Sequence, residues 1–465
     1  MQSILFLDNW LIDRADCVDR QWYKPKFVKQ LIEDFHPETL GYGGYLSAFY
    51  DDKLGKYVMY LAVYPPEADP GTFVLRLQSD DPYNWPTPTY DVNATPAWKG
   101  FSDVVVKQGG DRFWPLVTRS LKGTPLEDRG YIATCIPSDR SDHNSYAAFS
   151  QDGIHFTIDY DNPWHHSRSD TWSGVTWNKN EKVFQISTRP MNVDRRVSFV
   201  TTPDFNSFSG IRTVLQPDAQ DRIGAEIYSM PVIPYDDMFI GLPHMFTPDT
   251  LETRRYRMGG RTETELSYSY NGFNWYRTQR EPFIGIQDFG QQAGGQISVQ
   301  EMIRTNDNKL LFIGSGSWGE HYSYKDIQAM GRSTAGFFAP MLYEMRLDGF
   351  CSMKTWSRDG WLRTRTIIPK AGDLRLNVRT TAHTFIKVQV LDGETAEPIP
   401  GYTLEEAEPI TGDHLFARPQ WKDHADLSEL IDRPIRLEFQ MREAEIFAIR
   451  LESQVYIGRN PADTL

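Results

Sequence analysis

Three carboxylates, Asp111, Asp170 and Glu226, stand at one place in a recurring hairpin pattern, each about eight residues ahead of a hairpin turn. Gly43 and Gln296 hold the same place in the hairpins before and after them. If the hairpins are arrayed around an axis with their first strands innermost, the three acids converge on one point. Convergent carboxyls suit general acid–base work, in which one must be protonated to hand a proton to a leaving group. Another must be ionised, to attack or to activate water. Crowding acids together raises the pKa of one by like-charge repulsion and keeps a proton donor available near neutral pH. The bland alternative for each residue is an acid that simply begins a strand after a turn.

Further polar side chains gather at the same level of the pattern. His165 and His166 shortly precede Asp170, Arg189, Arg195 and Arg196 lie in the run TRPMNVDRR, and Asp221 and His244 flank Glu226. The run WGEH supplies Trp318, Glu320 and His321. These are candidates for binding sugar hydroxyls or a carboxylate, with Trp318 suited to stacking on a sugar face; solvated loops and satisfied core residues are the competing account. The histidine pair lacks further ligands at metal spacing, so no zinc site is expected. No cofactor is called for, and a structural calcium ion in the central tunnel is the one metal left open. There is no G-x-S-x-G elbow and no phosphate-binding P-loop. GSGSWG at 314–319 has no lysine and no following helix, and is expected to be a loop bringing backbone close to the pocket.

The elements that must position these groups announce themselves by repetition. A phrase with a hydroxyl residue, an Asp or Asn two places on and an aromatic four further along occurs four times, as SDDPYNW (79–85), SQDGIHF (150–156), TPDFNSF (202–208) and SYNGFNW (269–275). Each ends an alternating, strand-like run, so each reads as a strand turning through Asp or Asn with the aromatic folding back to pack. A hairpin precedes each phrase, and a fifth begins at Gln296 and feeds a last strand at APMLYEMRL. Five such units without helical periodicity between them predict a five-bladed β-propeller over residues 1–347. Near 350 the pattern changes to short alternating strands (DLRLNVRT, FIKVQVLD, PIRLEFQM, EIFAIRLE), which predict a β-sandwich over 348–465. Its one helical turn is expected in HADLSELIDRP, capped by Asp426.

Composition bounds the partners. The 465 residues carry a formal charge of -13 with no basic stripe, which argues against nucleic acid and an anionic membrane surface. Three cysteines at unrelated spacings imply no disulfide framework, and buried free thiols are expected. No long apolar run and no basic leader are present, so a cytoplasmic protein, monomeric or homo-oligomeric, is expected.

A propeller followed by a sandwich, with LFLDNWLIDR at the start and LDGFCSM leading into the second domain, resembles the superfamily of glycoside hydrolase families 32 and 43. The resemblance covers nearly the whole chain as a layout, while the WMNDPNG, RDP and EC motifs of family 32 are absent in their usual form. It implies two Asp and one Glu from consecutive blades: Asp111 as nucleophile or base, Asp170 as transition-state stabiliser or pKa tuner and Glu226 as general acid. Large loops and a single axial pocket suit removal of one terminal sugar, so an exo-acting glycosidase with an oligosaccharide substrate is expected. Alternatives are a phosphorylase of the five-bladed mannoside type, which would hold phosphate with Arg, Lys and His, and a non-catalytic carbohydrate-binding propeller.

Overall fold

The computed structural model describes residues 3–36, 39–65, 71–94, 96–137, 141–167, 169, 171–189, 194–249 and 259–456. They fall into two compact units, Pro25–Met345 and Met1–Lys24 with Arg346–Leu465.

Among the described residues of the larger unit the strands form five sheets, the five expected blades. The innermost strands are Tyr42–Asp51, Pro115–Ser120, Val175–Asn178, Val232–Tyr235 and Gln296–Arg304, and each is followed by its antiparallel hairpin partner. Apolar clusters lie between neighbouring blades, which explains why central strands such as KYVMYLAV are nearly continuous in hydrophobic residues. Met59 and Leu61 face the fifth blade's Leu311 and Ile313, while Val58 and Tyr60 face the second blade's Ala133 and Ala148. A strand buried on both faces needs no polar alternation. The cluster between the fifth and first blades closes the ring. Lys26–Gln30 adds a further closure as the outermost strand of the last blade, with Met341 opposite Gln30.

The four-fold phrase behaves as its residue types require. It ends the third strand of blades one to four, at Ser79, Ser150, Thr202 and Ser269. In the second copy Ser150 Oγ accepts from the amide of Gly153 at 2.9 Å, and Asp152 Oδ1 accepts from Ile154 and His155 at 2.9 Å each. The fourth copy repeats this with Ser269 to Gly272 at 2.8 Å and Asn271 to Phe273 at 2.9 Å. Side-chain oxygens thus satisfy amides that have left the ladder. The closing aromatics Trp85, Phe156 and Trp275 are buried.

Four expectations are corrected. The first 24 residues belong with the C-terminal unit, so the propeller begins at 25 and not at 1. Ser3–Leu5 pairs with Arg450–Ala448, Ile12–Asp16 with Gly360–Thr364 and Asp19–Trp22 with Cys351–Lys354, because the run Ile4–Leu7 is buried throughout and needs a sheet interior. In that unit the long strands Arg375–Asp392 and Ile435–Arg450 are the spine of the sandwich, bent by register shifts at Asn377/Val378 and Thr380/Phe385. GSGSWG is not a loop: its first four residues complete the strand Lys309–Ser317. A short helix, Ser323–Ala329, follows it where no helical period is apparent. Cys17 is exposed, and only Cys135 and Cys351 are buried. The turn capped by Asp426 forms as a 3-10 helix, Ser428–Leu430, with the Ser428 amide donating to Asp426 Oδ1 at 2.8 Å. Among the described residues no helix is long and apolar enough to cross a membrane.

Candidate active site

The inner strands begin around a cavity of ≈ 270 Å³. Gly44 and Tyr45 come from blade one, Trp114 from blade two, Tyr228 and Ser229 from the entry to blade four, and Gln296, Ser298 and Gln300 from blade five. The loop after Ser317 closes one side with His321, Tyr322 and Tyr324. Gly44 is required here: a Cβ would lie 2.4 Å from the ring of Tyr64, whose phenol is pushed far up by burial.

The cavity has a floor built across the axis. Arg119 of blade two approaches Glu301 of blade five at 2.6 Å, and the Arg119 guanidinium lies 5.5 Å from the Trp172 ring. Trp172, ahead of the third inner strand, donates its indole N–H to the Leu46 carbonyl of blade one at 3.1 Å. Burial pushes the Glu301 carboxyl up to about 7 despite Arg119 and the Ala48 amide. Below the floor, the far ends of the inner strands surround a second cavity of ≈ 640 Å³, with Ala48, Arg119, Thr176, Val232 and Glu301 each drawn from a different blade.

Tyr228 is the hub of the upper cavity. Its hydroxyl is 3.3 Å from His321 Nε2, and the guanidinium carbons of Arg189 and Arg195 lie 4.7 Å and 5.0 Å from its ring centre. Arg195 also holds Glu226, with Nη1 to Oε2 at 2.8 Å. Thr171 Oγ1 donates to the Tyr228 carbonyl at 2.8 Å, so blade three meets blade four beside the hub. His244 is buried in the wall, where its Nε2–H donates to the Val299 carbonyl and its Nδ1 accepts from Ser229 Oγ, both at 2.7 Å. Burial lowers its pKa to about 4, so it is a neutral, hydrogen-bonded wall residue.

The expected triad is not assembled among the cavity's described lining residues, none of which is a carboxylate. Asp111 stands in an exposed turn around Gly109 and Gly110 at the outer edge of blade two, 3.9 Å from Lys107. Val106–Lys107 pairs with the outer strand His155–Ile158, so the chain reaches the axis only at Trp114. Glu226 is displaced for a related reason. Glu226–Ile227 pairs with an inserted hairpin, His244–Pro248 with Gly260–Thr264, and the chain enters the axis at Tyr228. The carboxylate therefore sits beside the hub, on Arg195. Asp170 lies outside the described residues, next to Thr171.

Of the other candidates, His321 and His244 line the cavity and Arg189 and Arg195 border it through Tyr228. His165 stacks on Trp164 at 5.9 Å, its pKa lowered by burial and then by His166, which is exposed; neither lines the cavity. Trp318 packs edge-on against Phe337 at 4.9 Å, turned away from the lining. Glu320 pairs with Arg261 at 3.0 Å in a separate cleft of ≈ 670 Å³. Arg196 is taken by Asp194 and Gln216, and Asp221 by the buried Arg277, which Glu265 holds from its other side. No group of three or more His, Cys, Asp or Glu among the described residues is placed to hold a metal. The residues missed from sequence are aromatics, Tyr45, Trp114 and Tyr228, each two or three positions past the residue that was counted, Gly43, Asp111 and Glu226 respectively.

No family model and no curated protein matches the sequence. Solved structures similar to the chain are propeller glycoside hydrolases and phosphorylase relatives. A glycosyl hydrolase from Bacteroides ovatus is 12% identical with a TM-score of 0.44, over 70% of this chain and 94% of that one. A structure titled for the family 130 mannoside phosphorylases that contain hydrolases of β-1,2 mannosidic linkages in Candida mannan is 12% identical with a TM-score of 0.40, over 74% and 97%. A family 32 β-fructofuranosidase from Bombyx mori is 12% identical with a TM-score of 0.38, over 94% and 95%. At these identities and TM-scores the likeness carries no argument about this chain's chemistry.

Proposed function

We propose that the chain is a carbohydrate-active enzyme, an exo-acting glycosidase that takes the terminal unit of an oligosaccharide end-on into the axial cavity. The observation that carries this is the cavity itself: ≈ 270 Å³, ringed by Tyr45, Trp114, Tyr228 and the loop after Ser317, with Glu301, on Arg119, one residue beyond the lining Gln300. Its size is at the low end of small-molecule sites, which suits one sugar unit and not a chain passing through. Tyr45 and Trp114 offer apolar surface to a sugar ring, and Gln296, Gln300, Ser298, His321 and the Tyr228 hydroxyl offer donors and acceptors to its hydroxyls. Glu226, carried beside the hub by Arg195, is the proposed general acid, and Asp170 the proposed stabiliser of the oxocarbenium-like state.

The test is a pair of variants on natural and aryl glycosides. Glu226→Gln keeps volume and hydrogen bonding but cannot deliver a proton, so it should retain saccharide affinity and lose about 10²- to 10⁴-fold in turnover. The loss should be smaller with an activated leaving group. Asp170→Asn should impair both substrate kinds alike. Unchanged turnover in Glu226→Gln removes it from the reaction.

Two alternatives each have an observation in their favour. The lack of a carboxylate among the described lining residues favours a saccharide-binding propeller without turnover, in which case binding persists and no product forms. The two guanidinium groups over Tyr228, with His321 at its hydroxyl, favour a phosphorylase, for which sugar release requires inorganic phosphate.

A further inference from the structure

Phe289 is 99% exposed, on the loop that leads into the fifth inner strand. Single exposed apolar side chains are ordinary on loops; this one is distinguished by a rigid mount. The Gln287 amide donates to the Ala293 carbonyl at 2.9 Å, and the Ala293 amide donates back to Gln287 Oε1 at 3.1 Å. Two successive turns follow within and just past that clasp, Gln291 N–H to Asp288 O at 3.0 Å and Gly294 N–H to Gln291 O at 2.9 Å. Gly290, directly after the ring, has φ 89°, a conformation that favours glycine.

The loop is also tied to the cavity wall. Gln292 Nε2 donates to the carbonyls of Gly336 and Phe337 at 3.1 Å and 3.3 Å, and the Gly295 amide donates to Ser317 O at 2.9 Å. Phe337, Ser317 and the next residue of the strand, Gln296, all line the cavity. An aromatic ring is thus carried, three residues before Gln292, on a stiff loop that is hydrogen-bonded to lining residues of the proposed sugar site and leads into its wall at Gln296.

We infer that Phe289 is a stacking platform for a saccharide unit beyond the one in the cavity, making it a determinant of chain-length preference. This rests on the proposed sugar site, and deepens it. A flat apolar ring meets the C–H face of a pyranose or furanose without requiring one pattern of hydroxyls, so the contact selects for length and not for identity. Because the loop is already fixed by its own hydrogen bonds, little ordering opposes binding.

The test compares wild type, Phe289→Ala and Phe289→Trp on a glycan array bearing mono- and tetrasaccharides of the same fructan, arabinan and mannan series, with dissociation constants for any series that binds. Phe289→Ala should weaken the tetrasaccharide by about tenfold, on the scale of an aromatic contact, and leave the monosaccharide unchanged. Phe289→Trp should restore or exceed the wild-type preference. Tetrasaccharide affinity equal in wild type and Phe289→Ala overturns the platform while leaving the cavity site standing. Equal losses on both lengths overturn it too, because they mean the wall was disturbed. If wild type binds no saccharide, the sugar site falls and the platform with it.

Discussion

The floor of the cavity makes a pH-dependent prediction that isolates one carboxyl. Glu301 is buried and shifted from an ordinary 4.5 to about 7, so between those values the folded protein holds a proton that the unfolded chain has released. Its contribution to stability is therefore fully present below pH 4.5, is lost as pH rises, and is gone above about 7. The slope is at most about 1.4 kcal/mol per pH unit, and the whole span amounts to about 3 kcal/mol. Glu301→Gln keeps the shape and an acceptor for Arg119 but cannot ionise. Arg119 stays charged throughout, so any constant cost of the variant leaves the slope untouched. The variant should therefore gain on wild type by up to about 3 kcal/mol between pH 4.5 and 8, read by denaturant unfolding at a series of pH values. The comparison with a variant is essential, because His244, lowered to about 4, has the opposite slope over an overlapping window. A stability difference that stays flat with pH, or grows in wild type's favour, would refute this account of the floor.

Three more outcomes are expected. His244 should remain neutral, with its proton on Nε2, as pH falls to about 4; its share of stability is lost from 6.5 downward as the unfolded chain takes up the proton, and nitrogen-15 chemical shifts of the ring report this directly. Arg277→Met leaves Glu265 buried without its cation and Asp221 with only Arg280 at 3.7 Å, and should cost about 3–5 kcal/mol. That loss should be smaller at pH 5 than at pH 8, since burial already raises Glu265 and lets it take a proton; thermal unfolding at both pH values decides it. Gly44→Ala places a methyl 2.4 Å from the Tyr64 ring and should cost about 1–3 kcal/mol, with saccharide affinity falling as the ring is driven into the cavity; calorimetric binding and unfolding check the two effects separately.

Much of this molecule is carried by local chemistry and is therefore legible in the chain. The four-fold phrase works through hydroxyl and carboxylate oxygens capping amides within a few residues of themselves, as at Ser150 and Asp152. Such turns form wherever the residues occur, and with the hairpins between them they are enough to count five blades. The runs of apolar residues in the central strands likewise follow from burial on both faces, whichever blades do the burying. Which residue of each hairpin reaches the axis is a different kind of question. It depends on where the chain leaves its outer-strand pairings: Asp111 is held back by a turn beside Val106–Lys107, and Glu226 by the inserted hairpin at His244–Pro248. A displacement of two or three residues exchanges carboxylates for Trp114 and Tyr228 as lining. The partners that make the floor, Arg119 with Glu301 and Trp172 with Leu46, are far apart in sequence and meet only because the ring closes. The same holds for the first 24 residues, whose buried run declares a sheet interior but not which one. Only the tertiary structure supplies Arg450–Ala448 as its partner, because backbone pairing over such a separation leaves no local mark on either segment.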